Sequence, residues 1–353
     1  MPRYELGEPD LDARIRALAA DAVAGHPHLH ADTHLATEMM VTVLKLMRDE
    51  ADRGDLKLVN AALKEMRYSF LTFAPHRDAR KATVFGSART RPDDPNYLLA
   101  TELGRRLAEE RGWMLITGAG PGIMEAGNKG AGIDHSFGVN IRLPFESDAN
   151  PYIHESRLIN FKYFFTRKLM FMKESHAFVL FPGGFGTQDE TFELLTLIQT
   201  GKSDIHPIVL MEAEGTGYWD GWLAFLRDEL VGKGMIAPTD LDLFMYTNDI
   251  TEALEEICGF YDNYHSQRFL GDRLILRLQR APSPADLERL NDTYADLLAS
   301  GTIEAVGASE IEVEDGDHPD LPRLRLHFDR RSLGRLRSMI DDLNRISPEP
   351  EVG

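Results

Sequence analysis

Cysteine is almost absent: Cys258 is the single one among 353 residues. An intrachain disulfide is excluded, so the fold must rest on its hydrophobic core. That usage fits a reducing cytoplasm, the location expected for the chain. No run approaches the roughly 18 or more apolar residues of a membrane span. Residues 1–10 lack the apolar stretch of a secretory leader, and none is expected. Positive charge is in deficit: 39 Lys and Arg against 57 Asp and Glu give a formal net charge of −18. Such a surface repels nucleic acid and anionic membranes, so neither is expected as a partner. A small phosphorylated ligand would be repelled as well, although screening limits the reach to about 8 Å at physiological salt. A phosphate site must therefore be made positive locally, by helix N-termini and a few placed cations.

What is present is an ordinary globular chain, 43% hydrophobic and 27% charged, with length for about two domains. Three sections can be read. Residues 1–78 form a helical extension, with Ala36, Met39, Met40, Val43, Leu44 and Met47 recurring on one helical face. Residues 79–263 alternate short apolar runs with amphipathic helices. The strand candidates are Ala82–Phe85, Met114–Thr117, Phe137–Leu143, Ala177–Phe181, Ile208–Met211 and Leu243–Tyr246. Helices are expected near 96–111, 121–132, 161–174, 187–201, 219–231 and 250–262. That alternation predicts an α/β fold, a Rossmann-like, doubly wound parallel sheet. Strands such as Phe178-Val179-Leu180-Phe181 are apolar throughout, as helices on both sheet faces require. Residues 266–353 change pattern to a small C-terminal α+β unit. Its expected elements are a strand (Leu274–Leu278), a helix (Pro284–Ala299), strands at Thr302–Val313 and Leu324–Phe328, and a helix (Ser332–Leu343). The Pro- and Glu-rich tail Ser347–Gly353 is expected to fray.

The chemistry gathers at glycine-rich turns. Pro182-Gly183-Gly184-Phe185-Gly186-Thr187-Gln188-Asp189-Glu190 follows a strand and opens a helix. Gly183, Gly184 and Gly186 permit positive φ and close approach of a ligand to the backbone. The helix beginning near Thr187 offers unpaired N–H groups and the positive end of its dipole, an anion cradle. The dipole alone contributes only about 0.3–1 kcal/mol, so several N–H bonds and a cation are also needed. A plain strand-to-helix turn would look much the same. A second turn, Gly118-Ala119-Gly120-Pro121-Gly122, opens a helix carrying Glu125, Asn128 and Lys129. Two such turns at strand ends of one sheet imply a crevice between them. The third glycine comes one position early for a dinucleotide fingerprint, and no acidic residue ends a following strand, which argues against NAD. After the first strand, Ser87 in Gly86-Ser87-Ala88-Arg89 can donate to a phosphate or cap the turn. Arg167 and Lys168 sit among Phe164, Phe165, Leu169, Met170 and Met172, and cations on so apolar a helix need a partner, Glu190 or a substrate.

Over residues 80–262 the sequence resembles the Lonely Guy family of phosphoribohydrolases, often labelled lysine decarboxylase-like. The resemblance rests on four elements in order: VFGSAR (84–89), GAGPGIMEAGNKGA (118–131), Arg167-Lys168, and PGGFGTQDE (182–190). Arg167 and Glu190 are 23 residues apart, as in the family. Tyr163-Phe164-Phe165-Thr166 before the Arg-Lys pair looks like the longer bacterial members; smaller plant-type members have Met-His there, near the base pocket. The resemblance implies hydrolysis of the N-glycosidic bond of a nucleoside 5′-monophosphate, AMP-like or a cytokinin riboside monophosphate, to free base and ribose 5-phosphate. It implies no cofactor and at least a homodimer. Arg167 and Glu190 would be the catalytic pair. Ser87, Gly120, Gly122, Lys168, Gly183, Gly184, Phe185, Gly186 and Thr187 would hold the substrate.

The chemistry is consistent. Breaking a glycosidic bond builds oxocarbenium character at C1′, which a carboxylate such as Glu190 stabilises. A guanidinium, with a pKa above about 12, does not readily give up a proton, so Arg167 is expected to orient and to act electrostatically. Asp189, adjacent to Glu190 on the helix, faces elsewhere and is expected to serve the helix dipole or to support its neighbours. His26, His28, His30 and His34 resemble a metal site, but without Cys or a Glu between them a solvated loop is the expectation. A pyridoxal phosphate enzyme would need a buried Schiff-base lysine, and Lys129 and Lys168 are equally explained by phosphate contact. The alternative reading is a non-catalytic carrier of a phosphorylated ligand, as in the related molybdenum-cofactor carrier proteins. A third makes the terminal sections the main function, in regulation or assembly. The preferred base stays open.

Overall fold

A computed structural model describes residues 4–142 and 149–346. The expected strand end at Leu143 and the tail Ser347–Gly353 lie outside the described residues. The chain forms two compact units, Met1–Arg67 and Tyr68–Gly353.

The first unit is helical, as its periodicity predicts: α1 (Pro9–Val23), α2 (Thr33–Arg48) and most of α3 (Arg53–Phe73). Asp12, buried, accepts the N–H groups of Leu6, Gly7 and Glu8 and so ties down the chain entering α1. The apolar face expected on α2 is only partly covered: Met39, Val43 and Met47 stay exposed, Ala36, Met40 and Leu44 are half-buried, and the fully buried residue is Val41. Mean apolar periodicity marks a helix without fixing which stripe is covered.

The second unit begins with β1 (Lys81–Phe85), α4 (Pro95–Arg111), β2 (Met114–Thr117), α5 (Ile123–Ala131), β3 (Ser136–Ile141) and β4 (Leu158–Phe161). It continues with α6 (Phe164–Glu174), β5 (Ala177–Leu180), α7 (Phe185–Gln199), β6 (Ile208–Met211), α8 (Tyr218–Phe225), β7 (Met245–Thr247) and α9 (Ile250–Gly259). All seven strands are parallel, in the order β4-β3-β2-β1-β5-β6-β7. Every residue of β1, β2, β5 and β6 is buried, because helices cover both faces. Tyr97, Leu103 and Leu107 of α4 and Ile123 of α5 pack into one core with Val84, Val179 and Val209 of the sheet. Two boundaries differ from expectation. Leu158–Phe161 is a strand that the pattern does not predict, and the helix expected from about residue 161 starts at Phe164. The strand expected at Leu243–Tyr246 starts at Met245, because Pro238–Leu243 winds into a 3-10 turn.

The chain then builds β8 (Tyr264–Leu270), β9 (Arg273–Leu278), α10 (Pro284–Thr293), β10 (Leu298–Val306), α11 (Glu310–Glu314), β11 (Arg323–Phe328) and α12 (Leu333–Asn344). The strands form a separate antiparallel sheet, ordered β10-β11-β9-β8. The helix expected to reach Ala299 stops at Thr293, and the long strand expected over Thr302–Val313 breaks after Val306. The break has a local cause. Ser309 and Glu312 form a capping box that starts α11. Glu312, itself buried, is then held by the guanidinium groups of Arg277 and Arg323.

Within the parallel sheet the chain winds outward from β1 to β4, returns to β5, and winds out the other way. The direction reverses between β1 and β5, where the outgoing crossovers part and leave a crevice beyond the strand ends. The two glycine turns flank that point.

Candidate active site

A cleft of about 980 Å³ opens at this switch point. Its walls include Gly86 and Ser87 after β1, Gly118 and Gly120 after β2, Arg167 of α6, and Gly183 to Glu190 after β5. Of the residues singled out above, the cleft gathers Ser87, Gly120, Arg167, Gly183, Gly184, Phe185, Gly186, Thr187 and Glu190. Gly122 and Lys168 do not line it.

The turn after β5 differs from expectation in its backbone. None of Gly183, Gly184 and Gly186 adopts positive φ. Their lack of a side chain matters for space instead. A Cβ at Gly183 would collide with Thr187, whereas at Gly184 and Gly186 it would meet no protein atom within 4 Å. The backbone there is open to a ligand. Gly184 caps α7 and no side chain caps the helix, so the first N–H groups are left for another acceptor.

The two neighbouring turns brace each other. The Ser87 N–H donates to Pro182 O (3.0 Å), and Ser87 O accepts from Ile123 N–H (3.1 Å). Ser87 Oγ accepts the Arg89 N–H at 3.1 Å, so it also shapes its own turn. Gly122 is a packing residue: its φ is +68°, and a side chain would strike Ser87 O. In the same turn Ala119 takes φ +65°, unusual for a residue with a Cβ. Its N–H donates to Thr117 Oγ1 (3.0 Å), which donates to Asn128 Oδ1 (2.6 Å). Asn150 Nδ2 donates to both Gly120 O (3.2 Å) and Asn128 Oδ1 (3.1 Å). Asn150 was not foreseen, since a lone Asn outside any motif gives no signal.

Arg167 is fixed in place. Its Nε donates to Val139 O at 2.8 Å, and its guanidinium lies 5.2 Å from the Phe171 ring centroid. Gly118 is a glycine for the same reason: a Cβ there would collide with the guanidinium. Glu190 is only 6% exposed, and its Oε2 has no hydrogen-bond partner. Burial pushes its carboxyl up to about 7; Lys168 and Arg167 temper the rise, and Glu193 and Asp189 add to it. A buried, unpaired carboxylate oxygen in a cleft is costly unless a ligand supplies a donor or charge.

Lys168 is engaged by carboxylates of the neighbouring helix. It pairs with Asp189 (2.8 Å) and Glu193 (2.5 Å), tying α6 to α7. Burial works against its charge, but those carboxylates outweigh it and hold the ammonium pKa above its ordinary value. Asp189 is therefore a supporting residue. At the rim, Phe185 is 96% and Phe164 51% exposed, an apolar cost that a ring-shaped ligand would offset. Lys129 lies 5.6 Å from the Tyr97 ring centroid and does not line the cleft. Among the described residues no group of three or more His, Cys, Asp and Glu is arranged to hold a metal. No described helix is long and apolar enough to cross a membrane.

The family described as "Possible lysine decarboxylase" matches residues 118–257, from the second glycine turn through α9. The chain belongs to this family, the LOG family of phosphoribohydrolases. A probable cytokinin riboside 5′-monophosphate phosphoribohydrolase, LOGL9 of Oryza sativa subsp. japonica, is 31% identical over 165 residues, 45% of this chain and 68% of that protein. The pyrimidine/purine nucleotide 5′-monophosphate nucleosidase of Escherichia coli (strain K12) is 32% identical over 130 residues, 33% of this chain and 28% of that protein. In four further plant relatives the match spans only 34% to 63% of their length. Among solved structures, the molybdenum cofactor carrier protein of Chlamydomonas reinhardtii aligns over 50% of this chain and 94% of its own, at 20% identity and a TM-score of 0.34. So low a score carries no argument for a carrier.

Proposed function

We propose that the cleft hydrolyses the N-glycosidic bond of a nucleoside 5′-monophosphate, releasing the free base and ribose 5-phosphate. The observation that supports this most is Glu190 Oε2, buried and without a partner, in the same cleft as an uncapped helix N-terminus. In this reading the N–H groups at the start of α7 and Ser87 take the phosphate. The ribose spans the cleft, and Phe164 and Phe185 at the rim cover the base. As the C1′–N bond breaks, positive charge builds on the ribose, and the Glu190 carboxylate stabilises it. Water adds its oxygen to C1′. One of its protons leaves through Glu190, and the departing base nitrogen gains a proton. A carboxyl with a pKa near 7 can take up and return that proton at neutral pH. Arg167 keeps its charge and orients the reacting groups.

Incubation with AMP, GMP, CMP, UMP and IMP, followed for free base, tests the reading. Folded protein that releases none of them would overturn it. Tight nucleotide binding without product would point to the carrier instead.

Two further parts belong to the same reading. Residues 79–263 act as the catalytic domain, with 1–78 and 266–353 as appendages, working in the cytoplasm. The chain acts as a homodimer or larger homo-oligomer through the outer face of α7. There Phe185, Phe192 and Leu197 border a shallow groove of about 580 Å³, whereas Leu194 and Ile198 of the same helix belong to the core. Sedimentation analysis of the full chain and of a chain lacking 266–353, with nucleotide turnover measured on each, tests the assembly and the division of roles.

A further inference from the structure

Tyr218, at the start of α8, belongs to neither glycine turn nor to the Arg167-Lys168 pair. Its hydroxyl is a junction. It donates to Gly183 O at 2.7 Å and accepts from Gln188 Nε2 at 2.6 Å. A phenol has one proton, and the Gln188 amide group facing it is a donor, so that proton is committed to the Gly183 carbonyl. Tyr218 is in turn anchored from below. Its N–H donates to Glu212 Oε2 (2.8 Å), and the Trp219 N–H and Tyr246 hydroxyl converge on Glu212 Oε1 (3.2 and 3.0 Å). Glu212 is buried, so this anchor is shielded from water.

The consequence follows from the planarity of the peptide. In a trans peptide the C=O of one residue and the N–H of the next point in opposite directions. Drawing the Gly183 carbonyl toward Tyr218 turns the Gly184 N–H away from Tyr218. Two adjacent glycines offer little steric resistance to a flip of that peptide. Were it to flip, a carbonyl oxygen would replace an N–H at the mouth of α7, and an anion there would be repelled.

We propose that Tyr218 is a positioning residue: it pins the Gly183–Gly184 peptide so that the Gly184 N–H is presented to the 5′-phosphate, and Gln188 holds the hydroxyl in the donating orientation. This rests on the nucleotide reading above and deepens it.

The test uses the full-length protein and three probes: ribose 5-phosphate, adenosine and AMP. For Tyr218→Phe, ribose 5-phosphate should bind about three- to tenfold more weakly. Adenosine, which lacks the phosphate, should bind as it does to the wild type. KM for AMP should rise by the same factor as the ribose 5-phosphate Kd, with kcat falling less. Gln188→Leu should shift ribose 5-phosphate binding in the same direction by a smaller factor, and the double variant should be no weaker than Tyr218→Phe. This second series stands if Tyr218→Phe fails to fold. Unchanged ribose 5-phosphate affinity in the folded variants overturns the proposal. Equal loss of adenosine and ribose 5-phosphate binding overturns it as well, because a general loosening of the fold would act on both. If the wild type binds neither AMP nor ribose 5-phosphate, the nucleotide reading itself falls, and this proposal with it.

Discussion

Gly118 and Arg167 share one volume: any side chain at position 118 would occupy the place of the Arg167 guanidinium. The two lie on different elements, the turn after β2 and the helix α6, and are 49 residues apart in sequence. The glycine thus fixes where the cation can stand, and the Val139 carbonyl fixes its direction. Gly118→Ala should leave the fold intact while displacing the guanidinium and, beside it, the Met124 sulfur. Turnover of a nucleoside monophosphate should fall by about 10-fold or more, since small misplacements of a positioned group cost that much. Melting temperature and turnover, measured together, check this. A variant with wild-type kcat/KM would show that the position of Arg167 is not critical.

Glu190 should set the pH dependence of the reaction. Its carboxyl titrates near 7 because burial disfavours the charged form. The ionised form stabilises the developing positive charge, so kcat/KM should rise with pH through about 7 and level off above it. Glu190→Gln keeps the shape and removes the charge. Turnover should fall by roughly 10²- to 10⁴-fold, and the rising limb of the pH profile should vanish. Ribose 5-phosphate binding should change little. A variant that retains the same limb would assign that titration to another group.

Much of the fold was legible because buried parallel strands are short, mostly apolar runs. Met114–Thr117 and Ile208–Met211 could be read to the residue. β4 and β8 were not. Leu158–Phe161 is short and carries the exposed Asn160, and Tyr264–Leu270 includes His265, Ser266, Gln267 and Arg268, so neither shows an apolar run. In the site, the motifs pointed to the elements that line the cleft, because glycine turns and helix starts are local features. The partners of Lys168, Asp189 and Glu193, lie on another helix, and pairing across helices leaves no trace in local pattern. Tyr218 and Asn150 were missed because they belong to no motif and bond backbone carbonyls distant in sequence, Gly183 and Gly120.

Acid should loosen the protein earlier than its carboxylates alone would suggest. Burial depresses His176 to about 3 and His206 to about 4, with the nearby Arg80 charge adding to both. His206 Nδ1 sits 3.2 Å from Tyr261 Oη, whose hydroxyl donates to His176 O at 2.7 Å. Both rings are neutral in the folded state, whereas in the unfolded chain they protonate near the ordinary value of about 6.5. Below that pH the unfolded state binds more protons, so stability should fall as pH drops from about 6.5 toward 4. Melting temperature measured across this range should decline. His206→Asn should reduce the slope, and an unchanged slope would remove this histidine as a source.

The buried charge network of the C-terminal sheet gives a prediction that is independent of the cleft. Glu312 has almost no solvent access, and Arg277 and Arg323 bond the same oxygen, Oε1, at 2.9 and 3.1 Å. Burial alone would raise its pKa. The Ser309 N–H, the two guanidinium groups and the Ser309 hydroxyl outweigh that and bring it down to about 2. Replacing Glu312 with Ala leaves the buried Arg323 without a carboxylate partner, leaves Arg277 only Asp317, and removes half of the capping box of α11, so stability should fall by about 3–5 kcal/mol. Double substitution of Glu312 and Arg323 by apolar residues should cost less than Glu312→Ala alone, because the cation left without a carboxylate leaves with its partner. Denaturant unfolding of the two variants distinguishes these outcomes. A double variant less stable than the single one would mean that Arg323 contributes mainly through its bonds to the carbonyls of Asp317, His318, Pro319 and Leu321.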